Sequence, residues 1–222
     1  MKFTSVISTM AASWLLISGT CQAALITEDF DDGLAQGWTL TGLWHVTDNN
    51  PNGSAGALGY VKDETAGTTL NGNFNTGSAN SGTATSGALQ CANPGNQGCS
   101  LSFDSLDGSE ASIWDILDVF LIQNSVATQI LANNGGAAFN DNMYRTSVFN
   151  IADFLASNDP FQVEFSFDTG DAILNNFPGP RVDNFALQTS NANIPEPATM
   201  ALITLGLMAL STRKYRQTIV LK

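Results

Sequence analysis

The chain has 222 residues, a charged fraction of 13%, 20 glycines and a formal net charge of −12. All 20 acidic residues lie within 24–197, together with only 3 of the 8 basic ones (Lys62, Arg145, Arg181), so that part carries −17. Such a charge repels nucleic acid and anionic lipid headgroups, attracts divalent cations and helps keep a chain soluble. Few charges and many small polar residues argue against a helical bundle and for short strands joined by turns.

The first element is an address. Met1-Lys2-Phe3, an apolar stretch through Ile17 and the small residues up to Ala23 form a secretory signal peptide over 1–23. Cys21 and Ala23 occupy the two positions that a signal peptidase must accommodate, which places cleavage after Ala23, with Ala24 as the alternative. A lipid-bearing Cys21 fits poorly behind Thr20, and the apolar centre is short for an uncleaved anchor.

From 24 to 190 the pattern predicts one all-β domain, an antiparallel β-sandwich of jelly-roll type. Strands are expected at 38–41 and 43–47, parted by Gly42, then at 57–61, 99–103, 118–123, 125–131, 144–149, 161–167 and 182–187. The clearest is 161–167, where Phe161, Val163, Phe165 and Phe167 alternate with polar residues. A helical turn is expected at 151–156. The Gly-, Ser-, Thr- and Asn-rich stretch 65–88 reads as a long mobile loop, with a polar edge hairpin as the alternative. Cys91 and Cys99 bracket a loop turned by Pro94, Gly95 and Gly98, which predicts a disulfide. A zinc site is the rival, but two thiolates without a histidine do not complete its shell.

Beyond a linker at 191–194 come Pro195-Glu196-Pro197, a hydrophobic helix within 198–212 and the basic cluster Arg213, Lys214 and Arg216. The uncharged run 197–212 is 16 residues, about 24 Å as a helix against a bilayer core of about 30 Å. That is a marginal span, suited to a temporary anchor. These parts, in this order over 195–216, resemble the PEP-CTERM sorting domain. The resemblance implies an exosortase-type processing enzyme as partner besides signal peptidase, and a transient stay in the inner membrane. It also implies passage to the cell surface or exterior of a Gram-negative bacterium and an association with exopolysaccharide and biofilm. The tail 217–222 departs from the family, whose members stop soon after the basic cluster.

Within the sandwich, Glu28-Asp29-Phe30-Asp31-Asp32-Gly33, Gly37-Trp38 and Trp44 resemble the start of exported jelly-roll domains of the choice-of-anchor and galactose-binding-like kind. Pro180-Arg181-Val182-Asp183-Asn184-Phe185-Ala186-Leu187 resembles their last strand. In such domains the first and last strands are neighbours with a structural cation near their ends. The resemblance therefore implies calcium held by Glu28, Asp29 or Asp31 together with Asp183; the alternative is that these residues only close turns and bond to nearby backbone. No other cofactor is implied.

Trp38, Trp44, Tyr60 and Trp114 are candidates for stacking on sugar rings. Trp38 and Trp44, six apart, share one face if their strand is continuous, and that face is either a sugar platform or core. His45 is the only histidine and has no nucleophile motif to serve. Asp115 and Asp118, around Trp114, read as decoration of a surface turn. The expectation is an exported, non-catalytic surface or matrix protein, structural or adhesive and associated with exopolysaccharide. A carbohydrate-binding module is the alternative and a polysaccharide hydrolase, needing only two carboxylates, the second alternative.

Overall fold

Alternating burial turns the apolar segments into strands that each give one face to a shared interior. The structure, a computed structural model, describes residues 24–91, 98–110, 114–132 and 143–189. The expected signal peptide, linker, hydrophobic helix and tail lie outside the described residues. Among the described residues no helix is long and apolar enough to cross a membrane. Gln22–Ala192 forms one compact unit.

In chain order the strands are β1 (Ala24–Glu28), β2 (Thr39–Leu40), β3 (Trp44–Thr47), β4 (Ala57–Tyr60), β5 (Ser81–Thr85) and β6 (Cys99–Leu106). There follow β7 (Ile116–Gln123), β8 (Val126–Ala132), β9 (Arg145–Asn150), β10 (Phe161–Asp168) and β11 (Arg181–Thr189). The expected helical turn is a 3-10 turn, Ile151–Phe154, whose start is capped by Asn150 accepting from the Ala152 N–H. One sheet runs β3-β4-β11-β6-β9, with β1 added alongside β11; the other runs β2-β5-β10-β7-β8. Every strand pairing is antiparallel, so the expected β-sandwich stands.

Phe161, Val163, Phe165 and Phe167 of β10 and Leu117, Val119 and Leu121 of β7 meet Leu101, Phe103, Val182, Phe185 and Leu187 from the facing sheet. Edge-to-face ring pairs cross the interior, Phe103 to Phe165 at 5.0 Å and Phe74 to Phe167 at 5.2 Å, an arrangement favoured by the ring quadrupole.

All nine expected strands form. The stretch 65–88 is a correction. Instead of a long mobile loop it holds β5, an interior strand between β2 and β10, and the fully buried Phe74. Its composition hid the strand because β5 gives only Ala84 to the core; the ladders on both sides supply the order. Residues 65–80 are tied by amides, with Asn49 donating to the Thr65 and Thr69 carbonyls and Asn80 to that of Phe74.

Gly42 carries the chain from one sheet to the other. Its φ is +63°, and a Cβ there would stand 2.6 Å from the Ser81 carbonyl oxygen, so only glycine fits.

Candidate functional site

The two prolines of β11's approach and a buried arginine fix the end of the sandwich where the sequence placed its carboxylates. Arg181 is fully buried. Its Nη1 donates to the Pro178 carbonyl (2.9 Å), and its Nη2 to Asn49 Oδ1 (3.2 Å) and the Asn71 carbonyl (3.3 Å). Burial pulls its pKa down to about 10. Thus one guanidinium ties three loops to the first residue of β11.

Two residues on, β11 slips register against β6 between Asp183 and Ala186, and Asn184 takes a φ of +51°. The slip falls where the pairing along one edge of β11 passes from β4 to β1. The fully buried Asp183 lies opposite Asp104, itself 9% exposed. Like charges so placed repel, and polar donors offset this. Asp183 Oδ2 accepts from the Asn52 N–H and Ser54 Oγ, both at 2.8 Å, and its Oδ1 from the Asn184 N–H at 2.6 Å. Asp104 Oδ2 accepts from Asn52 Nδ2 (2.7 Å) and Asn184 Nδ2 (2.8 Å), and its Oδ1 from Thr146. Asp31 accepts from the Ala55 and Gly56 N–H groups. Burial nonetheless pushes the Asp183 carboxyl above its ordinary value, with Asp31's charge adding to it.

β1 and β11 are neighbours, as the calcium expectation required. Glu28 and Asp29 accept from the backbone N–H two residues ahead, at Phe30 and Asp31. A calcium shell needs six to eight oxygens; here Asp183 and Asp104 meet N–H and O–H donors with both oxygens, while Glu28, Asp29 and Asp31 each engage one. Among the described residues no group of three or more Asp, Glu, His or Cys is placed to hold a metal. Loop 51–56 is stapled by Asp31 on one side and by Asp104 and Asp183 on the other.

Beside it lies an acidic hollow of about 370 Å³, lined by Asp31, Val46, Thr47, Asp48, Gly56 and Glu64. His45 spends both ring nitrogens here, Nδ1 on the Leu43 carbonyl (2.9 Å) and Nε2 on Glu64. Burial works against the Glu64 charge, but the His45 bond holds its carboxyl below the usual value.

The tryptophan expectation is corrected. Trp38 precedes β2 in one sheet and Trp44 opens β3 in the other, so they share no strand face. Both point inward. Trp44 is 4% exposed and donates from Nε1 to the Gly82 carbonyl; the half-buried Trp38 packs on Phe30, Phe165 and Phe185. Tyr60 is fully buried as well, while Trp114 is 46% exposed. Asp115, expected on a surface turn, is only 2% exposed.

An aromatic does face outward where the sequence showed none. Thr39, Thr85, Glu164, Phe120 and Gln129 are cross-strand partners in one rung over all five strands of the second sheet. Each points away from the core, and Thr85 Oγ1 donates to Glu164 at 2.9 Å. At about 4.8 Å per strand the rung spans about 19 Å. Phe120 escaped notice because Val119-Phe120-Leu121-Ile122 reads as one apolar run, in which the outward face shows only once register is known. Cys91 and Cys99 form the expected disulfide, with Cα atoms 5.9 Å apart.

Pro195, Glu196, Pro197, Arg213, Lys214 and Arg216 lie outside the described residues, and there comparison with known proteins decides. Residues 193–217 match the PEP-CTERM protein-sorting motif. A PEP-CTERM segment marks an exported protein that is held in a membrane for a time, and it implies processing by an exosortase. No curated protein matches the chain. Among solved structures, the chain is similar to the K1 cleaved adhesin domain of Lys-gingipain from Porphyromonas gingivalis (12% identity, TM-score 0.46, covering 76% of this chain and 99% of that one). It is also similar to the CBM22-1 xylan-binding domain of Xyn10C from Paenibacillus barcinonensis (12% identity, TM-score 0.44, 76% and 95%).

Proposed function

We propose that this chain is a non-catalytic protein of the cell surface or extracellular matrix of a Gram-negative bacterium, structural or adhesive in role and in contact with exopolysaccharide. The observation that carries this reading is the PEP-CTERM motif at 193–217, behind an N-terminus built as a signal peptide. The sandwich suits the place, since a disulfide persists in an oxidising exterior. His45, the sole histidine, is engaged at both nitrogens by a carbonyl and a carboxylate, which leaves it no nucleophile to activate. The test is to mix the purified sandwich with exopolysaccharide, then measure co-sedimentation and polymer length. Binding without shortening supports the reading. Shortening that disappears on substitution of one carboxylate overturns it in favour of a hydrolase.

A second reading, a carbohydrate-binding module of defined specificity, is favoured by the Thr39-Thr85-Glu164-Phe120-Gln129 rung. It combines an outward aromatic ring with hydroxyl, amide and carboxylate groups, the pairing that sugar recognition uses. A glycan array separates the two. Reproducible binding to one glycan, lost in Phe120→Ala with the melting temperature unchanged, supports the module.

A further inference from the structure

The outward face of the second sheet carries one sign of charge. None of its five strands, β2, β5, β10, β7 and β8, contains a lysine or an arginine. The three basic residues of 24–197 lie elsewhere: Arg181 is buried at the start of β11, Arg145 opens β9 in the other sheet, and Lys62 stands 3.3 Å from Asp63. The acids of the five strands, Asp118, Glu164 and Asp168, alternate with core residues and so point outward. Strand register sets their spacing. Asp118 pairs with Ser166, midway between Glu164 and Asp168 on the neighbouring strand. With a rise of about 3.4 Å per residue and about 4.8 Å between strands, the three acids zigzag along the β10–β7 seam in steps of about 8 Å. Among the described residues no group of three is placed to hold a metal ion, so this row suits separate positive charges repeated at intervals. Glu164 lies between Thr85 and Phe120, and Ser166 between Thr83 and Asp118, which sets hydroxyls and one aromatic ring among the charges.

We propose that this face binds an amine-bearing polysaccharide, a hexosamine polymer with free amino groups, laid along the β10–β7 seam. This ligand narrows the exopolysaccharide contact proposed above, and rests on it. Ammonium groups repeated along a sugar chain meet the carboxylates, sugar hydroxyls meet the Thr and Ser hydroxyls, and the apolar face of a sugar ring lies on Phe120. A uronate or sulfated polymer is repelled by the same row and by the −17 of residues 24–197. Exposed charge pairs are each weak and screened by salt. The affinity is therefore a sum over pairs held on one polymer, and it falls as salt is added.

The test uses the unit Gln22–Ala192, which contains its own core and every described strand pairing. Its affinity is measured by calorimetry for a glucosamine oligomer, the fully N-acetylated oligomer of the same length, and an oligouronate. The glucosamine oligomer is expected to bind about tenfold tighter than the acetylated one, and the oligouronate not at all. Binding weakens between about 0.01 M and about 0.1 M salt, where the Debye length falls from about 30 Å to about 10 Å. Glu164→Gln and Asp168→Asn each keep an oxygen for their donors, Thr85 Oγ1 and the Gly170 N–H. Each is expected to weaken binding about threefold with an unchanged melting temperature. Asp153→Asn removes the same charge from the 3-10 turn, outside both sheets, and should leave binding as it was. An equal loss in Asp153→Asn overturns the proposal, as does an oligolysine of equal charge that binds as tightly, which would point to a basic protein. Equal affinity for the amine and acetylated oligomers overturns the amine preference and leaves the exopolysaccharide contact standing. No binding of the glucosamine oligomer also overturns the proposal, while co-sedimentation with exopolysaccharide decides that contact separately.

Discussion

Asp115 is held in a state that depends on pH. Its Oδ2 accepts the Glu110 N–H at 3.0 Å, while its Oδ1 is buried without a partner. Burial pushes the carboxyl up to about 7, against the pull of that N–H, with the charges of Glu110, Asp107 and Asp171 adding to the rise. A raised acid binds its proton more tightly in the folded state. The stability this gives is full below the unfolded value near 3.8, declines as pH climbs toward 7 and is flat above. Three units at about 1.4 kcal/mol each set a ceiling of about 4 kcal/mol, and an effective dielectric well above that of a dry interior brings it to about 2 kcal/mol. Asp115→Asn keeps an oxygen for the Glu110 N–H and removes the charge. At pH 8 the variant should be more stable by about 2 kcal/mol, a rise in melting temperature of about 4–8 °C for a domain of this size. At pH 4 the two should melt together. Thermal melts followed by circular dichroism from pH 4 to pH 8 read the difference. An asparagine variant no more stable than the parent at pH 8, or a gap that widens toward low pH, refutes the reasoning.

Other outcomes follow from the same geometry. Arg181→Met strips donors from the Pro178 and Asn71 carbonyls and from Asn49, and should cost about 3 kcal/mol in urea denaturation. Cys91→Ala with Cys99→Ala reopens a short loop of separation 8 and should cost about 2–3 kcal/mol by chain entropy, read in the same assay. Because the carboxylates around Asp183 are already met by N–H and O–H donors, a chelator should leave the melting temperature unchanged within about 1 °C. A larger drop would support the calcium expectation.

The alternation in β10, the turn residues and the Cys91–Cys99 spacing are local signals, and they disclosed the sandwich and its disulfide. β5 could not be read, because Ser81-Gly82-Thr83-Ala84-Thr85 has no apolar face of its own and becomes a strand only between two ladders. β1 hid for a related reason, since its aliphatic residues Leu25 and Ile26 both stay exposed. At the Asp183 cluster the sequence showed the acids of β1 and β11, but Asp104 and Asn52 reach it through long-range contacts that no local pattern encodes. Trp38 and Trp44 misled because their parity assumed a continuous strand, and Gly42 sends them into opposite sheets. Asp115 looked like surface because charge favours exposure, and only the packed loops around it show otherwise.

The central claim is that the PEP-CTERM segment routes this sandwich out of the cytoplasm. Mass spectrometry of both chain ends, in fractions of cells producing the parent or Glu196→Ala, tests it most directly. The parent should be recovered outside the cytoplasm, beginning near Ala24 and shortened at the C-terminal side around Pro195–Pro197, while the variant keeps its hydrophobic segment and stays in the membrane. Recovery of the parent as an intact Met1–Lys222 chain, soluble in the cytoplasm, would contradict the account.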